Sequence, residues 1–166
     1  MNWALRALVS LSALVVASSC GATSASRDQA RAVAAVGVLE VGNLRFDALA
    51  PQPLSSGVCG LFLWARSAQE PVLVLAAFSD PTEARVRLRG RERNLRRTAA
   101  EGEASFGHFE RQTYSDDRLT LVVDVVFDTS GRLRDGAAIE RGFIRTRDRG
   151  GEEIVIPVGG MVACEP

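Results

Sequence analysis

Histidine and cysteine side chains are the groups through which this chain could do chemistry, and it has few of them. There is one histidine, His108, and there are three cysteines, Cys20, Cys59 and Cys164. His108 and Glu110 share a predicted strand face and have the types of an acid–base pair, although such neighbours are usually surface contacts. One histidine makes a His-based zinc site or a catalytic triad hard to assemble. The sequence also has no phosphate-binding loop, GxSxG elbow, HExxH helix or paired CxxC. We therefore predict no catalytic residue, no metal site and no cofactor.

Arginines form the most distinctive cluster of the sequence. They recur at close spacing over one stretch: Arg85, Arg87, Arg89, Arg91, Arg93, Arg96 and Arg97. As a binding surface, Arg85, Arg87 and Arg89 would face an anionic partner such as lipopolysaccharide phosphates or peptidoglycan carboxylates. As a structural feature, the row is the charged outer face of a hairpin and discourages aggregation. The chain has 20 basic and 20 acidic residues, and this balance argues against a general nucleic-acid binder.

The N-terminus has the pattern of an export signal. A short segment with one basic residue, Arg6, precedes the uncharged stretch over residues 7–17, which ends in small residues. The alternative is a membrane-spanning helix, which needs roughly 20 apolar residues and so more than this stretch provides.

The residues "VASSC", which end at Cys20, resemble the lipobox of bacterial lipoproteins, with Ala17 where leucine is commonest. The resemblance implies cleavage before Cys20 and acylation of that cysteine. Since Gly21 and not aspartate follows it, the resemblance further implies an outer-membrane anchor facing the periplasm. The alternative is ordinary signal cleavage, for example after Ala22 or Ala25. We divide the chain into a signal peptide (1–19), a lipidated cysteine with a flexible tether (20–35) and one β domain (36–166).

Lipidation of Cys20 would leave two cysteines in the exported part of the chain. Disulfides persist in such compartments, and we predict a bond between Cys59 and Cys164. The alternative is a reactive Cys59 with His108 as its base, although nothing in the sequence brings these two residues together.

The strand pattern predicts an all-β domain, a single mostly antiparallel barrel or sandwich. Gly42-Asn43 has the type of a two-residue hairpin turn, which sets the facing pairs Val41–Leu44, Leu39–Phe46 and Glu40–Arg45. A second hairpin is predicted about Gly90-Arg91, and a last one turns through residues 148–151.

Two nearly continuous apolar runs, Gly60–Ala65 and Pro71–Phe78, are typical of strands covered on both faces. The clearest alternation places one set of apolar residues on a single face: Leu119, Leu121, Val123, Val125 and Phe127. With Phe62 and Trp64, these bulky side chains predict a filled interior.

Two resemblances bear on function. Through "CGLFLW" and "VIPVGGMVAC" the chain is similar to small uncharacterised envelope proteins of GC-rich proteobacteria. It also resembles the membrane-bound lysozyme-inhibitor lipoproteins, which have a lipobox, a small antiparallel barrel and a disulfide to the C-terminal strand. Where that family has an "SG…Y" loop, this chain has Ser105, Phe106 and Gly107, with Phe109 in place of the tyrosine. The inhibitory contacts of that family are therefore not carried over.

These observations favour a non-catalytic envelope protein that acts as a structural factor or as an inhibitor of a cell-wall hydrolase. The expected partners are the membrane, through the anchor, and an envelope protein, peptidoglycan or lipopolysaccharide, but not nucleic acid. The alternative is a barrel that binds one lipid or metabolite in its interior. If the interior is filled, binding should depend on exposed residues, for which we nominate Arg87, Arg89 and His108.

Lipidation is directly testable. Metabolic labelling with a clickable palmitate should tag the wild-type chain and leave Cys20→Ala untagged, because the thioether forms on that sulfur. Equal labelling of the two proteins would contradict the prediction.

Overall fold

The computed structural model describes residues 37–68, 70–128, 130, 133–147 and 150–166. The predicted signal peptide, Cys20 and the tether lie outside these residues. No helix among the described residues has the length and apolarity that a membrane span requires. The described residues form strands β1 (Val38–Val41), β2 (Leu44–Asp47), β3 (Cys59–Ala65), β4 (Val72–Phe78), β5 (Glu83–Leu88), β6 (Arg91–Ser105), β7 (His108–Ser115), β8 (Thr120–Asp128), β9 (Gly136–Arg147) and β10 (Glu153–Cys164).

Eight of these strands close into an antiparallel barrel. The order around the ring is β5-β4-β3-β10-β9-β8-β7-β6, and β6 pairs back with β5. The remaining hairpin, β1–β2, joins β5 where Phe46 faces Leu88. The all-β prediction is confirmed, and of the two architectures left open the chain adopts the barrel.

Apolar side chains fill the barrel interior, as the sequence predicts. On β8 the alternating residues Leu121, Val123 and Val125 are buried, and Phe127 packs against the same core after a bulge. The other large side chains without solvent exposure in this core are Phe46, Leu61, Leu63, Leu75, Leu95, Tyr114, Ile144 and Ile156. The interior of an eight-stranded barrel is just wide enough for such a packing.

The prediction that Phe62 and Trp64 point inward is wrong. Leu61 and Leu63 face the interior, and Phe62 packs instead into a second cluster with Leu54 on the outer face of β3 and β4. The segment between β2 and β3 covers that face. A Cβ on Gly60 would approach the side chains of Leu54 and Phe62 within 2.8 Å, so these side chains would have to shift to accommodate a larger residue there. Both strands are thus covered on two faces, which explains their unbroken apolar runs.

The first hairpin has the predicted register: Val41 faces Leu44, Leu39 faces Phe46, and Glu40 faces Arg45. The predicted second turn is wrong by one residue. Leu88 faces Arg91, so that the turn consists of Arg89 and Gly90, both with positive φ (49° and 76°). Two positive φ values define the turn type whose twist matches that of the flanking strands.

The hairpin β1–β2 closes one end of the barrel. We call this end, at which β3 ends and β4 begins, the upper mouth. Phe46 is fully buried. Gly42 at the hairpin tip lies against Ile154 of β10, several strands away around the ring. The upper mouth is therefore capped by apolar side chains.

The opposite end, the lower mouth, carries the disulfide. Cys59 opens β3, Cys164 closes β10, and the two face each other as cross-strand partners joined by the bond that the sequence predicts. The bond spans 105 residues of sequence, so it links the first and last strands of the described ring.

Candidate functional site

The hairpin β6–β7 bends over the lower mouth. The pairing register shifts between Glu101 and Ala104, and Gly102 within this bulge has a φ of 85°. A Cβ at Gly107, in the turn of this hairpin, would lie 2.8 Å from the Cβ of Ser79, just beyond the end of β4. The bulge therefore turns the end of the hairpin across the barrel, since bulges bend the strand that contains them.

His108 crosses the lower mouth to the opposite wall. Strand β7, which it begins, lies directly across the ring from β3. Its Nε2 is 3.3 Å from the carbonyl oxygen of Cys59, and the ring has no solvent exposure. Because a carbonyl only accepts, Nε2 carries the proton of the neutral ring and donates it, which leaves Nδ1 as an acceptor.

Three further polar side chains complete what we call the lower plug, defined as His108, Arg97, Gln112 and Tyr114. The Gln112 Oε1 accepts from the Tyr114 hydroxyl at 2.9 Å and from the Arg97 guanidinium at 3.1 Å. Arg97 also donates to the carbonyl of Gly107 at 3.0 Å and lies over the Phe109 ring. Gln112 Nε2 and His108 Nδ1 have no hydrogen-bond partner in the part of the chain that the structure describes.

Burial governs the protonation states of the plug. It lowers the pKa of His108 to about 4, and the positive charge of Arg97 acts in the same direction, while the Cys59 carbonyl and the Gln112 amide oppose the shift. Burial also raises the pKa of Tyr114. At neutral pH both side chains are uncharged, so Arg97 is the one charged group of the plug.

The expectation that His108 is exposed is therefore wrong, and so is its pairing with Glu110. Glu110 is exposed, and one of its carboxylate oxygens accepts the N–H of Glu103 at 3.2 Å. Sequence analysis missed Gln112 and Tyr114 as members of the buried polar set. The alternation His108, Gln112, Tyr114 along one strand was the available signal for it.

The arginine row does not form one continuous cationic surface. Arg85 points outward but pairs with Glu83 at 3.1 Å, donates to Gln52 at 3.0 Å and lies over the Phe78 ring. Its role is to hold the segment that covers the outer cluster. Arg97 belongs to the lower plug.

Two of the three nominated arginines remain accessible at the upper mouth. Arg87 is half-buried on the outer face of β5, opposite Glu92. Arg89 is exposed in the turn and donates to the backbone carbonyl of Asn43 at 2.8 Å.

Asp116 and Asp117 belong to a turn, as the sequence indicates. The Asp116 carboxylate accepts the N–H groups of Arg118 and Leu119 at 2.8 and 2.9 Å and pairs with Arg93 at 2.5 Å. Partial burial disfavours its charge, but these donors outweigh it and hold the pKa of Asp116 below its usual value.

A second feature adjoins the lower plug. The ladder between β7 and β8 ends at the pair Arg111–Asp124, although β7 continues to His108 and β8 to Asp128. We use the term seam for the stretch in which residues 108–110 of β7 and residues 125–128 of β8 are not ladder partners of each other. A groove of about 510 Å³ lies along it and is lined in part by Glu110, Val126 and Phe143.

The described cysteines and acidic residues bear on the chemistry considered from the sequence. Both described cysteines are in the disulfide, which excludes the alternative of a free, reactive Cys59. Nor do the described residues contain a cluster of three or more histidine, cysteine or acidic side chains that could hold a metal ion.

Comparisons with protein-family models, with curated proteins and with solved structures found no match to this chain.

The lowered pKa of His108 predicts a pH-dependent stability. Between pH 6.5 and about 4 the unfolded chain binds a proton at His108 that the folded chain does not. The free energy of unfolding should therefore fall by roughly 3 kcal/mol as the pH drops through this window. Urea denaturation at several pH values measures the change.

His108→Gln is the matched control, because glutamine is polar but does not titrate. It should lack the loss between pH 6.5 and 4, while losses below that window from carboxylates such as Asp116 remain in both proteins. A His108 ring that titrates at its ordinary pKa by NMR would contradict the burial argument.

Proposed function

We propose that this chain is a lipoprotein anchored in the outer membrane and facing the periplasm, whose barrel is a non-catalytic module that binds another envelope component. The anchor rests on the lipobox resemblance at Cys20. The binding role rests on one observation, namely that the barrel is filled and closed at both mouths.

The filled interior gives the ligand-binding alternative little support. The core side chains without solvent exposure include Leu61, Leu121 and Ile144 from three different strands. A lipid or metabolite would have to displace such side chains, and large-to-small substitutions at such positions cost about 2–5 kcal/mol. Recognition through the outer surface needs no such displacement.

Both closures are made by the chain itself. Phe46 covers the upper mouth, and His108 with Gln112 covers the lower one. A barrel that holds a ligand needs an entrance at one mouth. The absence of an entrance at either mouth, as far as the described residues define them, supports a scaffold whose binding groups are on its exterior.

The exterior at the upper mouth carries the arginines nominated from the sequence. Arg87 lies near the end of β5, and Arg89 is in the β5–β6 turn beside the capping hairpin. Exposed guanidinium groups recognise carboxylates and phosphates through paired hydrogen bonds. We therefore assign the partner an acidic surface, which fits an envelope protein such as a cell-wall hydrolase as well as anionic cell-wall polymers.

The proposal is tested by affinity capture from envelope extract with the tagged full chain in detergent. A defined protein should be enriched by the wild type and lost with Arg87→Glu/Arg89→Glu, because the charge reversal repels an acidic surface. Direct binding and, for a hydrolase, inhibition of peptidoglycan digestion are then measured with the purified partner.

Arg96→Glu/Arg118→Glu is the matched control, since it reverses two exposed arginines at other places on the surface. It should leave capture intact. Capture that is insensitive to both double variants, or enrichment of nothing beyond mock beads, would contradict the proposed role.

A further inference from the structure

The barrel wall has two places where neighbouring strands separate, and the chain fills one of them. Strands β4 and β5 pair only through Ala76–Arg85 and Ala77–Ala84. Above these pairs, β2 and the residues after it occupy the split. The N–H of Arg89, just beyond β5, bonds to the Arg45 carbonyl of β2 at 3.2 Å, and the N–H of Leu49 bonds to the Leu73 carbonyl of β4 at 3.0 Å.

The seam between β7 and β8 is the second split, and none of the described residues pairs within it. His108 and Phe109 pair on their other side with β6, and residues 125–128 pair on theirs with β9. An unpaired strand edge offers backbone N–H and C=O groups to any extended segment that reaches it.

The cause of the seam lies in the lower plug. The bulge at Gly102 turns the end of the β6–β7 hairpin towards β3 and β4, and His108 bonds across the mouth. In this bent position the beginning of β7 does not pair with β8 below the Arg111–Asp124 pair.

The side chains along the seam are complementary to a bound segment that carries both basic and apolar residues. Glu110 is exposed, although Gln112, two residues along β7, is buried, and one oxygen of the Glu110 carboxylate accepts the N–H of Glu103. Val126 and Phe143 lie on the outer side and expose 45% and 40% of their surface. The two sides of an extended strand alternate residue by residue, so a segment with alternating basic and apolar side chains complements both.

Asp124 does not compete for the basic residues of such a segment. Its carboxylate is paired with Arg111 at 2.8 Å and also with Arg145. Outside this network, the groove lining contains two exposed acidic residues, Glu101 and Glu110, and one exposed basic residue, Arg141, so it keeps an acidic excess of one charge.

We propose that the seam binds an extended segment of a partner protein as an added strand, and that this segment carries alternating basic and apolar side chains. Main-chain hydrogen bonds to the edges of β7 and β8 would supply affinity, and the contacts with Glu110, Val126 and Phe143 would supply specificity. The seam goes beyond the proposed function, because it is a binding site separate from the surface that carries Arg87 and Arg89. Binding at the seam can therefore be absent while the arginine surface still binds its partner.

The test uses three fluorescent hexapeptides and the purified full chain in detergent micelles. Arg-Val-Arg-Val-Arg-Val should bind saturably in fluorescence anisotropy. Glu-Val-Glu-Val-Glu-Val should bind about tenfold more weakly or worse, because it meets Glu110 with like charge. A version of the first peptide with N-methyl groups at alternate positions should lose binding, because it cannot donate along the strand edge. Amide exchange in residues 125–128 should slow only with the first peptide.

Phe143→Glu and Glu110→Lys should each weaken binding of the basic peptide by about tenfold. Val155→Glu is the matched control, since Val155 is 43% exposed on the neighbouring β10 but lies outside the groove lining. Circular dichroism verifies that each variant is folded. Equal binding by all three peptides, no saturable binding, or equal loss in Val155→Glu and Phe143→Glu would overturn the proposal. None of these results bears on the capture experiment with Arg87 and Arg89.

Discussion

An eight-stranded ring encloses a space that side chains can fill but that leaves two open ends, and closing those ends is the constraint on which this structure depends. Each strand of the ring pairs with its neighbours on both sides over part of its length. The core inside the ring can exclude water only if something covers each mouth. Two hairpins cover the mouths. The hairpin β1–β2 is additional to the eight strands of the ring, and the hairpin β6–β7 is part of the ring.

The two closures differ in chemistry, and the difference has consequences. The upper cap is apolar, with Phe46 in the main core. The lower plug is polar, and it connects to the wall through the bond from His108 to Cys59, one of the two disulfide residues. Burial within this plug disfavours the charged ring and leaves His108 neutral. The bend that places His108 across the mouth also separates β7 from β8. The seam is therefore a product of the same closure.

The sequence predicts the parts of this structure that follow from local pattern. The facing pairs about Gly42-Asn43 follow from turn chemistry and from the opposite charges of Glu40 and Arg45. The inward face of β8 follows from its alternation. Phe62 and Trp64 were misplaced because an unbroken apolar run carries no alternation from which to choose a face, and the segment that covers Phe62 comes from elsewhere in the chain.

The candidate site was less predictable, for a related reason. Whether a polar residue at a strand end faces solvent or a barrel mouth depends on the bend of the hairpin, and Gly102 is the one local mark of that bend. His108 was therefore expected at the surface, and the seam left no sequence pattern. Cys59 and Cys164 were paired correctly because lipidation of Cys20 would leave two candidates.

The central claim is that the barrel holds its own side chains and no ligand. Native mass spectrometry of the full chain, purified from its native cells in mild detergent, tests it most directly. The account predicts the covalent mass of the chain and no non-covalently bound small molecule. A lipid or metabolite that remains bound at one copy per chain, and persists in Arg87→Glu/Arg89→Glu, would contradict it.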